Sequence, residues 1–142
     1  MIPYQTKAGK LSGTSYKEVK KQAVFVYREI QVSSRRKPYV RSAYFNKQKV
    51  FLNLFWDHVF KKRPKERYER LQFFGAAIEL IKNCRNCPSI KHNSNEELFR
   101  FLGVTINGQY FCVQIKRNTL NSKKYFISCF PIKKCSALMW SV

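Results

Sequence analysis

From Arg100 to Phe130, RFLGVTINGQYFCVQIKRNTLNSKKYFISCF, apolar and polar residues alternate, the two-residue period of half-buried strands. Asn107-Gly108 separates the first two runs, and this pair tolerates the positive φ angles that a type I′ turn demands. A third run, Lys123 to Phe130, follows a short polar loop. Three antiparallel strands in a row are expected. Counting outward from a two-residue turn pairs Ile106 with Gln109, Val104 with Phe111, Leu102 with Val113 and Arg100 with Ile115, giving an apolar face suited to a core. The opposite face then holds Phe99, Phe101, Gly103 and Thr105 against Tyr110, Cys112, Gln114 and Lys116, and Lys124 and Ser128 join it from the third strand. Arg100 reaches that open face only if a bulge at Gly103 shifts the strand by one residue.

Upstream the period lengthens. Residues 1–13 are polar and frayed in this reading. Val19, Ala23, Val26 and Ile30 fall on one helical face behind a capping box of Ser15 and Glu18. This helix is either an arm or, the blander choice, an amphipathic helix docked on the core. Ser33 to Pro38 breaks it and carries the cationic run Arg35-Arg36-Lys37. Lys47-Gln48-Lys49 leads into an apolar strand, Val50 to Leu52. Asn53 is an expected N-cap for a helix that carries His58 and ends at Pro64. From Pro64 to about Cys84 one long helix is predicted, with Tyr68, Leu71, Phe74, Ile78 and Ile81 as its buried stripe. Residues 85–95 read as a loop. The predicted class is α+β: an N-terminal helix, then strand, helix, helix and a three-stranded antiparallel meander. The chain divides into a basic arm and helix (1–38), a domain (39–132) and a tail (133–142) that carries Trp140.

Charge changes this picture most. The 142 residues carry 28 Lys and Arg against 8 Asp and Glu, a formal net charge of +20. Self-repulsion of that size opposes compactness, so it points to a polyanionic partner, nucleic acid first and an anionic membrane surface second. No acid falls between 101 and 142, so the cations there are expected to be free for an outside anion. No secretory signal and no run near ~20 apolar residues is found. Five cysteines without a disulfide framework suit a reduced, cytoplasmic protein.

Two stretches bear a resemblance. In Val50-Phe-Leu-Asn-Leu-Phe-Trp-Asp-His58 a strand leads into a helix bearing a His, and in Tyr125-Phe-Ile-Ser128-Cys-Phe-Pro131 a last strand carries a Ser beside aromatics. With the element order and the basic surface, residues 39–132 resemble the RelE-like toxins, and more widely the barnase–EndoU–colicin–RelE superfamily of metal-independent ribonucleases, its phage-associated members in particular. The resemblance implies a RelE-like fold, no cofactor, and attack of an RNA 2′-hydroxyl on the adjacent phosphorus to leave a cyclic phosphate. His58 is then the acid/base candidate, because imidazole titrates near neutrality. Arg100, Lys116 and Lys124 would neutralise the phosphorane and Ser128 would hold a phosphate oxygen. Tyr110, Gln114, Arg117 and Lys49 complete the substrate-binding candidates. No Glu lies on the meander to act as base, which departs from barnase. The family also implies an acidic antitoxin or immunity protein as partner.

Other functions compete. A nucleic-acid-binding module without catalysis would use the same basic face. A ParE-like toxin would inhibit an enzyme such as a topoisomerase by protein contact and would need neither His58 nor Ser128. Cys84-Arg-Asn-Cys87 with His92 five residues on is a partial zinc pattern. It lacks a second CxxC pair, and Cys112 or Cys135 would have to complete it. The favoured expectation is a metal-independent endoribonuclease acting on cellular RNA, with no metal and no membrane partner.

Overall fold

The computed structural model describes residues 2–140. The chain is α+β, but not in the arrangement expected from the sequence. In place of an N-terminal helix, a lone strand, two helices and a three-stranded antiparallel meander stands one curled, mixed, seven-stranded sheet with five helices among the described residues. The elements run β1 (Tyr4–Gln5), α1 (Tyr16–Ser33), β2 (Tyr39–Ser42), β3 (Gln48–Phe51), α2 (Asn53–Phe60), α3 (Pro64–Gln72), α4 (Phe74–Asn83), β4 (Ser89–His92), β5 (Glu96–Val104), β6 (Tyr110–Asn118), β7 (Lys124–Pro131) and α5 (Lys134–Trp140). Sheet order is β1-β5-β6-β7-β3-β2, and β4 pairs with β5 beyond the end of β1. Two of the pairings are parallel, β1 with β5 and β3 with β7. The strands that were not expected, β1, β2 and β4, are short. β4 is exposed along its whole length, and β1 has two residues, held by backbone bonds such as Thr6 N–H to Val104 O at 2.9 Å. Neither needs an apolar pattern to form, so neither left one. Lys7 and Ala8 donate their backbone N–H groups to the Glu79 carboxylate at 2.8 and 3.0 Å, which ties down the segment expected to fray.

The helices follow local chemistry in part. Ser15 Oγ accepts the Glu18 N–H at 3.4 Å, while the Glu18 carboxylate accepts the Thr14 N–H at 3.2 Å, a capping box displaced by one residue. Val19 and Ala23 of α1 are buried, and α1 packs against α3. Asn53 is not the cap of α2: Leu52 holds that position and the Asn53 amide oxygen is buried without a hydrogen-bond partner. The long helix expected from Pro64 to Cys84 breaks at Phe73, whose backbone sits at φ −94°, ψ 2°. Successive residues of one helix point about 100° apart. The break lets Phe73 and Phe74 both enter the core, Phe73 against Phe111 (ring centroids 5.2 Å apart) and Phe74 against Phe55 (5.2 Å). Of the expected tail, 134–140 is helical; Ser141, Val142 and the side chain of Trp140 lie outside the described residues.

The hairpin forms around Asn107-Gly108, but in a register one residue away from that expected. Thr105 N–H donates to Gln109 O and Gly108 N–H to Thr105 O, both at 2.9 Å, and Gly108 takes φ +81°. This is a turn of three loop residues with glycine in the left-handed position. Val104 therefore lies opposite Tyr110 and Gly103 opposite Phe111. Phe99, Phe101, Phe111, Val113 and Ile115 share the buried face. Leu98, Arg100, Leu102 and Val104 turn to the outer one, beside Lys116, Gln114, Cys112 and Tyr110. No bulge at Gly103 is involved. Gly103 is needed for another reason: a Cβ there would lie 2.4 Å from Phe111 Cζ and 2.9 Å from Leu80 Cδ1. Gly103→Ala is expected to destabilise the fold by about 1–3 kcal/mol through overpacking, read as a lower midpoint in urea unfolding with an unchanged slope.

A second phase change occurs in β7. Gln114 pairs with Ser128 and Ile115 with Phe126, so Ile127 has no partner. This bulge puts Lys124 and Phe126 in phase with the core, and Ser128 and Phe130 in phase with the outer face.

Candidate nucleic-acid site beside β7

β3 accompanies β7 only as far as Tyr125 and then leaves the sheet into α2. Beyond that point α2 and α3 lie against β7. A cleft of about 460 Å³ opens there, lined by His58, Lys61, Lys62, Arg70, Gln114, Ile127, Ser128 and Phe130. His58 comes from the last turn of α2, with Lys61 and Lys62 directly after it. Arg70 comes from the last turn of α3. The Arg70 guanidinium donates a hydrogen bond to Ser128 Oγ and lies over the Phe130 ring, 5.4 Å from its centroid. The Arg70 backbone oxygen accepts the Cys129 thiol at 3.3 Å. These contacts fix α3 against β7 and hold the guanidinium at the mouth of the cleft.

The structure brings together three of the residues expected from the sequence, His58, Gln114 and Ser128. Arg100 is close to them on the same sheet face, opposite Gln114, about 10 Å from the Ser128 strand position at two strand spacings. Its Nε is buried without a hydrogen-bond partner and, among the described residues, no carboxylate lies within 4 Å of it. Tyr110 also lies on that face, but at the far end of β6 opposite Val104.

The other expected site residues stand elsewhere. Lys116 is on the outer face, yet Glu96 holds its ammonium at 3.5 Å. Arg117 forms two charge-assisted hydrogen bonds to Glu97, which also faces His92 at 3.3 Å. The cations of 101–142 are therefore not all free, because β5 places its two N-terminal carboxylates across from them. Lys124 is buried on the core face, where the Ile127 bulge directs it. Its ammonium donates to Ser122 O at 2.9 Å and sits 5.2 Å from the centre of the Phe45 ring. Burial, with the Arg117 charge adding to it, lowers the Lys124 pKa. Lys49 lies in a separate groove on β2 and β3.

Arg70, Lys61 and Lys62 were not among the expected site residues. For the two lysines a signal existed: they follow His58 by three and four residues, the spacing that shares a helix face. Arg70 had no such signal, since only the packing of α3 on β7 brings it to Ser128, 58 residues away.

The cleft lining holds no carboxylate among the described residues. Of all 28 Lys and Arg, only Lys116 and Arg117 have a carboxylate within 4 Å among the described residues. The thiols do not contribute reactive groups here. Burial pushes Cys112 up to about 12, against the opposing effect of Arg100, and burial raises Cys129 further. Cys84 is buried and Cys87 exposed, and His92 is turned to Glu97. Among the described residues no three His, Cys, Asp or Glu side chains gather as a metal-binding group. No helix among the described residues is long and apolar enough to cross a membrane. No protein-family model matches the chain, and neither a curated protein nor a solved structure is found to match it.

Proposed function

We propose that the β7 cleft cleaves RNA without a metal ion, the 2′-oxygen attacking the adjacent phosphorus and the 5′-oxygen leaving, to give a cyclic phosphate and a free 5′-hydroxyl. The observation that carries the proposal is the gathering of His58, Arg70, Lys61, Lys62, Gln114 and Ser128 in one lining free of carboxylates. Each has a task in this chemistry. The proton lost by the 2′-hydroxyl and the proton gained by the 5′-oxygen call for a side chain that can accept and donate a proton, and His58 supplies it. Negative charge builds on the non-bridging oxygens in the transition state. Arg70 and the two lysines lie where they can stabilise it. Ser128, already polarised by Arg70, and Gln114 offer hydrogen bonds that orient the phosphate. The net charge of +20 supplies long-range attraction for the substrate.

The chemistry is that of the ribonuclease superfamily the sequence resembles, and the cleft lining supports it independently of that resemblance. By the same logic a cell harbouring the active protein needs an acidic protein to cover this surface, and that is the partner we propose. The test is incubation with RNA in excess EDTA, followed by analysis of the ends. Cyclic phosphate and 5′-hydroxyl ends are expected. Intact RNA, or ends carrying a 5′-phosphate, would overturn the proposal.

A further inference from the structure

On the outer face, β2, β3 and β7 place three aromatic rings side by side. Tyr39 pairs in register with Phe51, and Phe51 with Tyr125. Their ring centroids are 6.3 and 5.8 Å apart. All three residues are half-buried, so each ring is anchored and still reachable. Around the Tyr39 end opens a groove of about 650 Å³, to which Arg35, Arg36, Lys37, Lys49 and Lys123 contribute cations. Lys49 lies 4.7 Å and Arg41 5.5 Å from the Tyr39 ring centre. None of these six cations has a carboxylate within 4 Å among the described residues. At the other end, Ser128 of the cleft follows Tyr125 by three residues, about 10 Å of strand.

We propose that this row of rings and its flanking cations is a track for single-stranded nucleic acid, with bases stacked on Phe51 and Tyr125 and phosphates on Arg35, Arg36, Lys37, Lys49 and Lys123. The class of ligand rests on the RNA proposal above; the track itself rests on the rings. A duplex keeps its bases stacked inside and offers only its phosphates and groove edges, so it would leave the rings unused. An unpaired strand presents base faces, and stacking on aromatic side chains holds it whatever its sequence. An acidic peptide would use the cations but gain little from three rings in a row. The track leads an unpaired strand toward the cleft, so the substrate of this site is RNA that is single-stranded at the cut and on the side of it that lies over the rings.

The test is fluorescence anisotropy with a short 2′-O-methylated oligonucleotide, which has no free 2′-hydroxyl and therefore reports binding independently of cleavage. It is compared with a duplex of the same length and with polyglutamate. Phe51→Leu keeps apolar bulk and loses the ring. It is expected to weaken single-strand binding at least about fivefold and to leave duplex binding unaltered. Tyr125→Leu replaces it in the measurement if Phe51→Leu alters the circular dichroism spectrum. The exposed double variant Arg35→Ala/Arg36→Ala is expected to flatten the slope of log affinity against log salt by about 1.4 for single strands. Single-strand binding unchanged in the ring variant, or an equal loss on duplex, overturns the track. So does loss of polyglutamate binding in the cation variant with oligonucleotide binding retained, which assigns the groove to an acidic protein. The expected binding pattern with the methylated probe, together with no cyclic phosphate product from unmodified RNA, overturns the cleavage proposal and upholds the track.

Discussion

His58→Ala is expected to slow RNA cleavage by about two to four orders of magnitude, the usual contribution of a positioned acid/base group. The side chain is half-buried at the cleft and its helix is held by Phe55, Trp56 and Val59, so the variant should keep the wild-type circular dichroism spectrum. Binding of a methylated oligonucleotide should fall far less than the rate, because the loss belongs to the transition state. The pH dependence of the rate separates catalysis from positioning: a proton-transfer role predicts a profile whose shape differs between wild type and variant. A variant that cleaves at the wild-type rate would remove His58 from the chemistry. It would leave Arg70 and Ser128 as the groups to examine.

The second large effect is on stability. Phe126 is fully buried and stacks on Phe55 with centroids 4.6 Å apart and planes 6° from parallel, and Phe74 completes the group at 6.3 Å. Phe126→Ala should cost about 3–5 kcal/mol, the range for removing a buried aromatic side chain. Chemical unfolding monitored by far-ultraviolet circular dichroism would measure it. A loss below about 1 kcal/mol would mean that the Phe55–Phe126 stack does not hold α2 on β7. The outcome also bears on function, because Phe126 and Ser128 flank the unpaired Ile127. Slack on the core side of β7 is transmitted to the cleft side within two residues.

What could be read in the chain was mostly local. The Ser15 and Glu18 cap, the existence of a hairpin at Asn107-Gly108 and the helix carrying His58 each depend on a few neighbouring residues. Register was not legible, since Asn-Gly serves a two-residue turn and a three-residue turn equally well, and only the backbone pairing of Thr105 with Gln109 decides between them. That single residue sends Arg100 outward and explains its place without the bulge at Gly103. Ile127 gives no warning of the bulge it forms. Unbroken alternation along the third strand, with Tyr125, Ile127 and Cys129 turned to the core, assigned Lys124 to the open face with Ser128, whereas the bulge turns it inward and its ammonium finds Ser122 O and the Phe45 ring. The cleft was legible where its residues sit on predicted elements, as His58, Gln114 and Ser128 do. It was illegible at Arg70, which depends on how two distant elements pack. The overall sheet escaped because β1, β2 and β4 are short additions whose pairing is made by backbone groups, and because β3 runs parallel to a strand more than 70 residues later in the chain.

The ion pairs of Glu96 and Glu97 have a kinetic consequence. Among the described residues they gather at one corner, with Lys116, Arg117 and His92, so charge is locally cancelled there while most of the other cations have no carboxylate within 4 Å. A polyanion approaching from solution is turned toward the bare surfaces before any contact forms, and collisions at the neutralised corner are less often retained. Orientation of this kind acts on the association rate more than on dissociation, and it weakens as salt shortens the screening length, about 8 Å at physiological ionic strength. The corner thereby gives the molecule a leading side in an encounter.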